Sequence, residues 1–216
     1  MRQQDVRSRL IRRAARANLF LPDQLADRLS AYYELLARWN RKINLTSIDN
    51  VDDAVDRLLL EPVAAARYVQ AGARALMDVG SGGGSPAIPL KLTIPRLSLT
   101  MVEAKARKSA FLREAVRQLS LDDAQVETAR FEELLVRPEL HERYDVLTLR
   151  AVRTETRVLT SLQAFLAAGG VMMLFRGPGG PNAPAQLVPP LEWTATYPLV
   201  ETLQSRLTIL TKRRIR

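Results

Sequence analysis

"LMDVGSGGGSPAIPL", residues 76–90, decides how the chain is read. A short run ending in Asp78 and Val79 passes straight into Gly80, Gly82, Gly83 and Gly84, then into a proline-bounded apolar segment. Glycine serves where backbone must turn sharply or come close to something else. Strand, glycine turn and helix, in that order, present backbone to ligands at the carboxyl ends of an open α/β sheet.

Three loop chemistries compete for this turn. A phosphate-cradling P-loop ends in Gly-Lys-Ser/Thr, and no lysine stands in the loop. A dinucleotide fingerprint needs glycine at its first, third and sixth positions; Gly80 and Gly82 fit, but the sixth position is Ser85. The third spacing, Gly80-x-Gly82-x-Gly84 preceded by Asp78, matches loops that hold S-adenosylmethionine. A carboxylate at Asp78 would repel a pyrophosphate and suits a ligand carrying an ammonium and a sulfonium. Glu103 ends the next strand candidate, 19 residues beyond Gly84. A carboxylate there accepts hydrogen bonds from both ribose hydroxyls of an adenosine, in nucleotide and methionine-adenosine cofactors alike. Read this way Glu103 is no core residue, and its loss is expected to leave the fold intact.

Outward from the turn the pattern alternates. Strand candidates "ALMDVG", "LSLTMVE", "QVETA", "YDVLTLRA" and "GVMMLFRG" are separated by the helical stretches "SPAIPLKLTI", "KARKSAFLREAVRQL", a short "FEELL" and "RVLTSLQAFLAA". Strands joined by crossovers make a mostly parallel sheet with helices on both faces. "LEWTATYPL" and "RLTILTK" lack a helix between them and predict an antiparallel pair at the edge of a seven-stranded sheet. "RGPGGPNAPAQLVPP" reads as a Pro/Gly-rich loop near the carboxyl ends of the strands. This α/β domain occupies residues 71–216. Before it, Leu25, Leu29, Tyr32, Leu36 and Trp39 recur on one helical face. A second helix is predicted from about Asp53 to Val69, kinked or divided by Pro62. Residues 1–70 are thus a helical extension.

Composition narrows the functions. The chain's 216 residues suit one α/β domain plus a small extension. There is no cysteine and one histidine, His141 in a polar stretch, so neither a zinc site nor a histidine-based triad is expected, and no metal. No run approaches the ~18 apolar residues of a membrane span. Lys plus Arg is 32 against 23 for Asp plus Glu, a net charge of +9, which favours a polyanionic partner, most often nucleic acid. The excess clusters in "MRQQDVRSRLIRRAAR" and "TKRRIR", read as flexible arms reaching for phosphates. The first of these is Arg-rich and acid-poor, as transit peptides are, but lacks their serines and merges into a helical pattern. A cytoplasmic, monomeric enzyme is expected.

The segments "WNRKINLTSI" (39–48), "DVGSGGGSPAIPL", "EAKARKSAFL", "ARFEEL" and "YDVLTLRA" also come in the order and spacing of a known family. Over roughly residues 20 to 180 the chain resembles the bacterial 16S rRNA guanine-N7 methyltransferases, also called glucose-inhibited division protein B. The resemblance implies a class I, Rossmann-like methyltransferase fold with a helical N-terminal extension. It implies methyl transfer from S-adenosylmethionine to N7 of a loop guanine, with 16S rRNA or the small ribosomal subunit as partner. Carried onto this chain, Gly80 and Ser85 bracket the loop for the methionine part, and Phe131 and Glu132 sit where the family contacts adenine. Arg150 matches an arginine at the mouth of the donor site. Asn40, Asn44 and Arg176 fall on the RNA side, with helix-end capping as the alternative for the two asparagines. The chain departs from the family at Arg57-Leu58-Leu59-Leu60-Glu61-Pro62, where Arg-His-x-x-Asp-Ser is usual. Ser85 replaces a bulky apolar residue, Ala87 a glycine and Arg176 a lysine.

A site without histidine, cysteine or metal suits this acceptor, because guanine N7 carries a lone pair and no proton. Positioning and desolvation then carry most of the acceleration. Arg150 is expected to hold a phosphate or the guanine O6, or to help stack the base, or else to pair with a carboxylate. Two rivals remain at this point: a methyltransferase of a protein or small molecule, and a non-catalytic RNA-binding protein.

Overall fold

The computed structural model describes residues 3–151, 155–177 and 186–214 of the chain. Helix α1 (Gln3–Arg16) and α2 (Asp23–Asn40) lead into a third helical run made of α3 (Val51–Val55), a π turn at Asp56–Leu60, α4 (Glu61–Ala65) and a 3-10 turn at Ala66–Tyr68. The α/β part follows as β1 (Ala75–Val79), α5 (Ala87–Thr93), β2 (Ser98–Val102), α6 (Ala106–Gln118), β3 (Ala124–Glu127), α7 (Phe131–Leu134), β4 (Tyr144–Arg150), α8 (Thr156–Leu162), β5 (Leu166–Arg176), β6 (Leu191–Pro198) and β7 (Arg206–Lys212). The seven strands form one sheet in the order β3-β2-β1-β4-β5-β7-β6. Strands β1 to β5 pair in parallel, while β7 runs antiparallel to both β5 and β6. The mostly parallel sheet with an antiparallel edge is therefore as expected.

Side chains along a strand alternate between faces, and the core divides accordingly. Leu76, Met173 and Ile209 pack into one apolar cluster, their neighbours Met77, Met172 and Leu210 into the other. The first cluster also contains Leu10, Leu29, Tyr32, Leu59 and Phe111. The N-terminal helices thus share one core with a face of the sheet. Leu159, Leu162 and Phe165 cover the opposite face.

Three expectations are corrected. The basic N-terminal stretch is no loose arm: α1 buries Val6, Leu10 and Ala14. Its arginines are held by acids far along the chain, Arg7 by Asp23 and Asp27, Arg9 by Asp52, and Arg13 by Asp56. At the other end, Lys212 is buried, donating to Glu142 Oε1 at 2.9 Å and to the carbonyls of Gln163 and Leu166, and Arg213 pairs with Glu192. The helix read through "AFLAA" stops at Leu162, because Phe165 O accepts the N–H groups of Arg143 and Tyr144 and Leu166 is already paired with β4. Close backbone approach at Gly170, where a Cβ would lie 2.9 Å from Ala167 O and 3.0 Å from Asp145 O, fixes that crossing. Residues 178–185 of the Pro/Gly-rich segment lie outside the described residues, as do Arg2, Ile215 and Arg216 of the basic ends.

Candidate active site

The glycine turn leaves β1 at the middle of the sheet, where β1 lies between β2 and β4. Gly80, Gly82 and Gly84 adopt φ of 74°, 51° and 85°, values that L side chains rarely tolerate. At Gly84 a Cβ would also come within 2.6 Å of Ile88 Cδ1, so that side chain would have to shift. The turn is anchored from three sides. The Val102 carbonyl accepts the N–H groups of Gly80 and Ser81 at 2.9 and 3.1 Å, and the buried Tyr32 hydroxyl donates to Gly83 O at 2.6 Å. Glu103 Oε2 accepts from Gly82 N at 2.9 Å, while its Oε1 accepts from Lys105 N at 2.8 Å.

Glu103 is therefore a support of the turn as well as a candidate ligand group. It is 7% exposed. Each of its oxygens accepts one backbone N–H, and a carboxylate oxygen has a second lone pair to offer. A ribose diol at the cavity edge fits that remaining capacity.

A cavity of about 640 Å³ opens over the turn. Gly80, Gly82, Ser85, Glu103 and Lys108 line one side, and Arg57, Glu61, Arg150 and Arg176 the other. Asp78 does not reach this lining. It is 1% exposed beneath the turn, where Oδ1 accepts from the Thr148 hydroxyl at 2.5 Å and Oδ2 has no hydrogen-bond partner among the described residues. Burial, opposed chiefly by the Thr148 hydrogen bond, pushes its carboxyl up to about 6. An unsatisfied buried carboxylate is costly unless a positive charge comes near. A cationic ligand above the turn answers that requirement.

The far wall is built on the π turn and Pro62. The Glu61 N–H donates to Asp56 O, five residues back. Pro62 has no N–H to offer the carbonyls of Leu58 and Arg57, four and five residues back. Both carbonyls are met from elsewhere: Ser85 Oγ donates to Leu58 O at 2.9 Å, and Arg150 Nη1 to Arg57 O at 2.7 Å. Arg150 Nη1 also lies 2.8 Å from Glu61 Oε2, and its guanidinium carbon is 4.8 Å from the Phe175 ring centre. Burial lowers the Arg150 pKa from its ordinary value against the attraction of Glu61. Arg150 is thus a fixed wall residue paired with a carboxylate, its Nε and Nη2 bonded to none of the described residues.

The other expected residues fall differently. Asn40 Oδ1 accepts from Leu45 N and Thr46 N at 2.8 and 2.9 Å and so shapes the loop that borders the cavity. Asn44 is exposed and outside the lining. Phe131 and Glu132 open α7, also outside it, with Phe131 packed against the second core cluster. His141 is exposed, its Nε2 2.9 Å from Leu135 O. Among the described residues no group of three or more His, Asp or Glu side chains could hold a metal ion, and no helix is long and apolar enough to cross a membrane. Sequence reasoning missed Tyr32, Lys108, Thr148 and the role of Glu61. For Glu61 a signal existed: the proline one residue on frees carbonyls inside a helix.

Solved structures share this architecture at low sequence identity. A SAM dependent methyltransferase from Aquifex aeolicus superposes with a TM-score of 0.56 at 12% identity, covering 79% of this chain and 98% of that one. A variant of MtNAS in complex with S-adenosylmethionine gives 0.58 at 14% identity, covering 88% and 78%. The fold is the class I, Rossmann-like methyltransferase fold. The sequence narrows the class. Residues 25–181 match the GidB model, rRNA small subunit methyltransferase G. Ribosomal RNA small subunit methyltransferase G of Stenotrophomonas maltophilia (strain K279a) is 40% identical over 161 residues, 74% of this chain and 73% of its own length. The protein of that name from Acetivibrio thermocellus is 31% identical over 172 residues, 80% and 71%. The chain belongs to the GidB family of small-subunit rRNA methyltransferases.

Proposed function

We propose that this protein transfers a methyl group from S-adenosylmethionine to N7 of a guanine in 16S ribosomal RNA. The observation that carries the reading is the cavity itself: a glycine turn tied to Glu103 on one side, and Arg57, Arg150 and Arg176 facing it on the other. The donor supplies a sulfonium-activated methyl group. Gly80 and Gly82 bring main chain close to the methionine part, with Ser85 at the edge of the same loop. Glu103 offers its free lone pairs to the ribose, and Asp78 places negative charge beneath the turn.

The acceptor side is cationic and contains no histidine. N7 of guanine has no proton to remove, so the site needs orientation and exclusion of water rather than a general base. Arg150, fixed by Glu61, Arg57 O and Phe175, is a rigid donor wall against which a guanine O6 is oriented. Arg57 and Arg176, with Lys108 across the cavity, favour the approach of a phosphate-bearing strand. In a duplex N7 lies in the deep major groove, which makes an unstacked guanine the reachable target.

The test is direct. Purified protein is incubated with S-adenosylmethionine and 16S rRNA, free or in small subunits, and N7-methylguanine is mapped by cleavage at the modified base. One modified guanine, absent without protein, supports the reading. Donor binding with methyl transfer to protein or to a small molecule instead would replace the acceptor.

A further inference from the structure

A second cavity, of about 910 Å³, lies on the other side of the π turn. Arg13, Arg16, Arg67 and Arg206 line it, against two carboxylates, Asp56 and Glu201. Asp56 is already neutralised. Arg13 holds both of its oxygens at 2.5 Å and the Thr202 hydroxyl donates to Oδ2 at 2.8 Å. Arg16 and Arg67 are exposed, and neither forms an ion pair with a described carboxylate. Arg67 donates Nε to Ala64 O at 2.9 Å and lies 5.5 Å from the Tyr68 ring centre. Two guanidinium groups thus stand at the rim, with hydrogen-bonding capacity directed at nothing the described chain supplies.

This cavity adjoins the donor cavity at two places. Asp56 lines the one and Arg57, the next residue, lines the other. Arg206 lines the first and stands directly opposite Arg176, which lines the second, in the β5–β7 register. The rim includes Gln204 at φ 47°, a left-handed conformation that a glutamine rarely adopts, and such strain persists where the surroundings hold a site in shape.

We propose that this cleft is an RNA exosite. It holds backbone phosphates of the single strand that flanks the target guanine, with Arg16 and Arg67 donating to phosphate oxygens. The strand then passes Arg206 and Arg176 into the donor cavity. The proposal rests on the ribosomal RNA reading above and adds where the strand is gripped.

The test uses the full chain carrying Arg16→Gln with Arg67→Gln, and separately Gln204→Glu, which adds one negative charge at the rim without loss of size. Binding of 16S rRNA is titrated against salt, and S-adenosylmethionine binding is measured by calorimetry. The double variant is expected to bind RNA roughly tenfold more weakly at moderate salt, with the slope of log affinity against log salt reduced by about 1.4, two single-strand contacts. Donor affinity stays at the wild-type value, and kcat at saturating RNA is kept while KM rises. Gln204→Glu weakens RNA binding in the same sense, which holds the proposal accountable if the double variant folds poorly. Wild-type slope and affinity in folded variants overturn the exosite, as does wild-type protein that fails to bind the RNA at low salt. Wild-type protein that binds the RNA but transfers no methyl overturns the functional reading, and the slopes still decide the exosite.

Discussion

Ser85 donates its hydroxyl to the carbonyl of Leu58 at 2.9 Å, and so ties the glycine turn to a helix 27 residues upstream. The bond exists because Pro62 cannot serve that carbonyl. A π turn beside a proline would otherwise leave main-chain acceptors unmet in the protein interior. Here the same irregularity provides the two points at which Ser85 and Arg150 grip the far wall. π turns are frequent at functional sites, and in this protein the reason is concrete.

Ser85→Ala removes the donor and leaves the Leu58 carbonyl without it. The expected loss of stability is about 1–3 kcal/mol, seen as a lower urea midpoint with unchanged slope. Donor affinity should fall only modestly, since the hydroxyl faces the helix. A large loss of donor affinity at unchanged stability would instead make Ser85 a direct ligand.

Glu103 tests the difference between sequence and structure. The sequence alone expected its loss to affect the ligand and spare the fold. Its carboxylate accepts from Gly82 N and Lys105 N, so Glu103→Ala should lower both donor affinity and stability, each by about 1.5–3 kcal/mol. Glu103→Gln should restore little, because an amide presents one donor nitrogen where two acceptors are required. Calorimetry and thermal melts on the same samples check both losses.

Asp78 should make donor binding depend on pH. Its folded pKa is raised from 3.8 to about 6 by burial, so the folded state holds this proton more tightly than the unfolded chain. The contribution to stability is therefore greatest below pH 4 and is lost as pH rises to about 6. A cationic ligand favours the carboxylate, so donor affinity should rise with pH up to about 6 and then level, with protons released on binding near pH 6. Asp78→Asn should flatten that rise, weaken donor binding and raise stability at pH 7. Calorimetry in buffers of different ionisation heat reads the proton release, and a flat wild-type profile would detach Asp78 from the ligand.

Arg13 and Asp56 form the buried end of the ion-pair ladder that holds α1, with side chains 14% and 3% exposed. Removing one member of such a pair leaves an uncompensated charge, at a cost of about 3–5 kcal/mol. Arg13→Ala should therefore lower the denaturation midpoint sharply, and deletion of α1 should destabilise the whole domain because Val6 and Leu10 belong to the shared core. A truncated protein with the wild-type melt would return α1 to the status of a loose arm.

The glycine turn, the strands and the parallel order were legible in the sequence because each leaves a local mark: glycines at fixed spacing, apolar runs, crossovers of helical period. What was not legible depends on partners distant in sequence. Arg9 and Arg13 resemble a free basic arm until Asp52 and Asp56, 43 residues away, come beside them. Asn40 matches a family position yet holds backbone five and six residues on, a local capping role that the same letters encode equally well. The Phe131 side chain carries no sign of whether it turns to a ligand or to the core. In the sequence Pro62 signals a kink or a division of its helix, and only the neighbouring strand and turn show which groups take over its missing hydrogen bonds.

Arg150 and Glu61 provide the sharpest separation of catalysis from architecture. Arg150→Ala leaves Glu61, 3% exposed and next to no other described cation at bonding distance, buried and unpaired. Glu61→Ala does the same to Arg150. Each single change should cost about 3–5 kcal/mol of stability, and the double Glu61→Gln with Arg150→Gln should cost less than the sum, because a buried pair removed together takes its desolvation penalty with it. Activity should not follow that pattern. If Arg150 orients the guanine, single-turnover rates at saturating RNA should fall far more than RNA affinity in every variant lacking the guanidinium, the double variant included. Glu61→Gln should keep part of the rate, since Arg57 O and Phe175 still hold Arg150 in place. Recovery of rate along with stability in the double variant would make Arg150 a purely architectural residue.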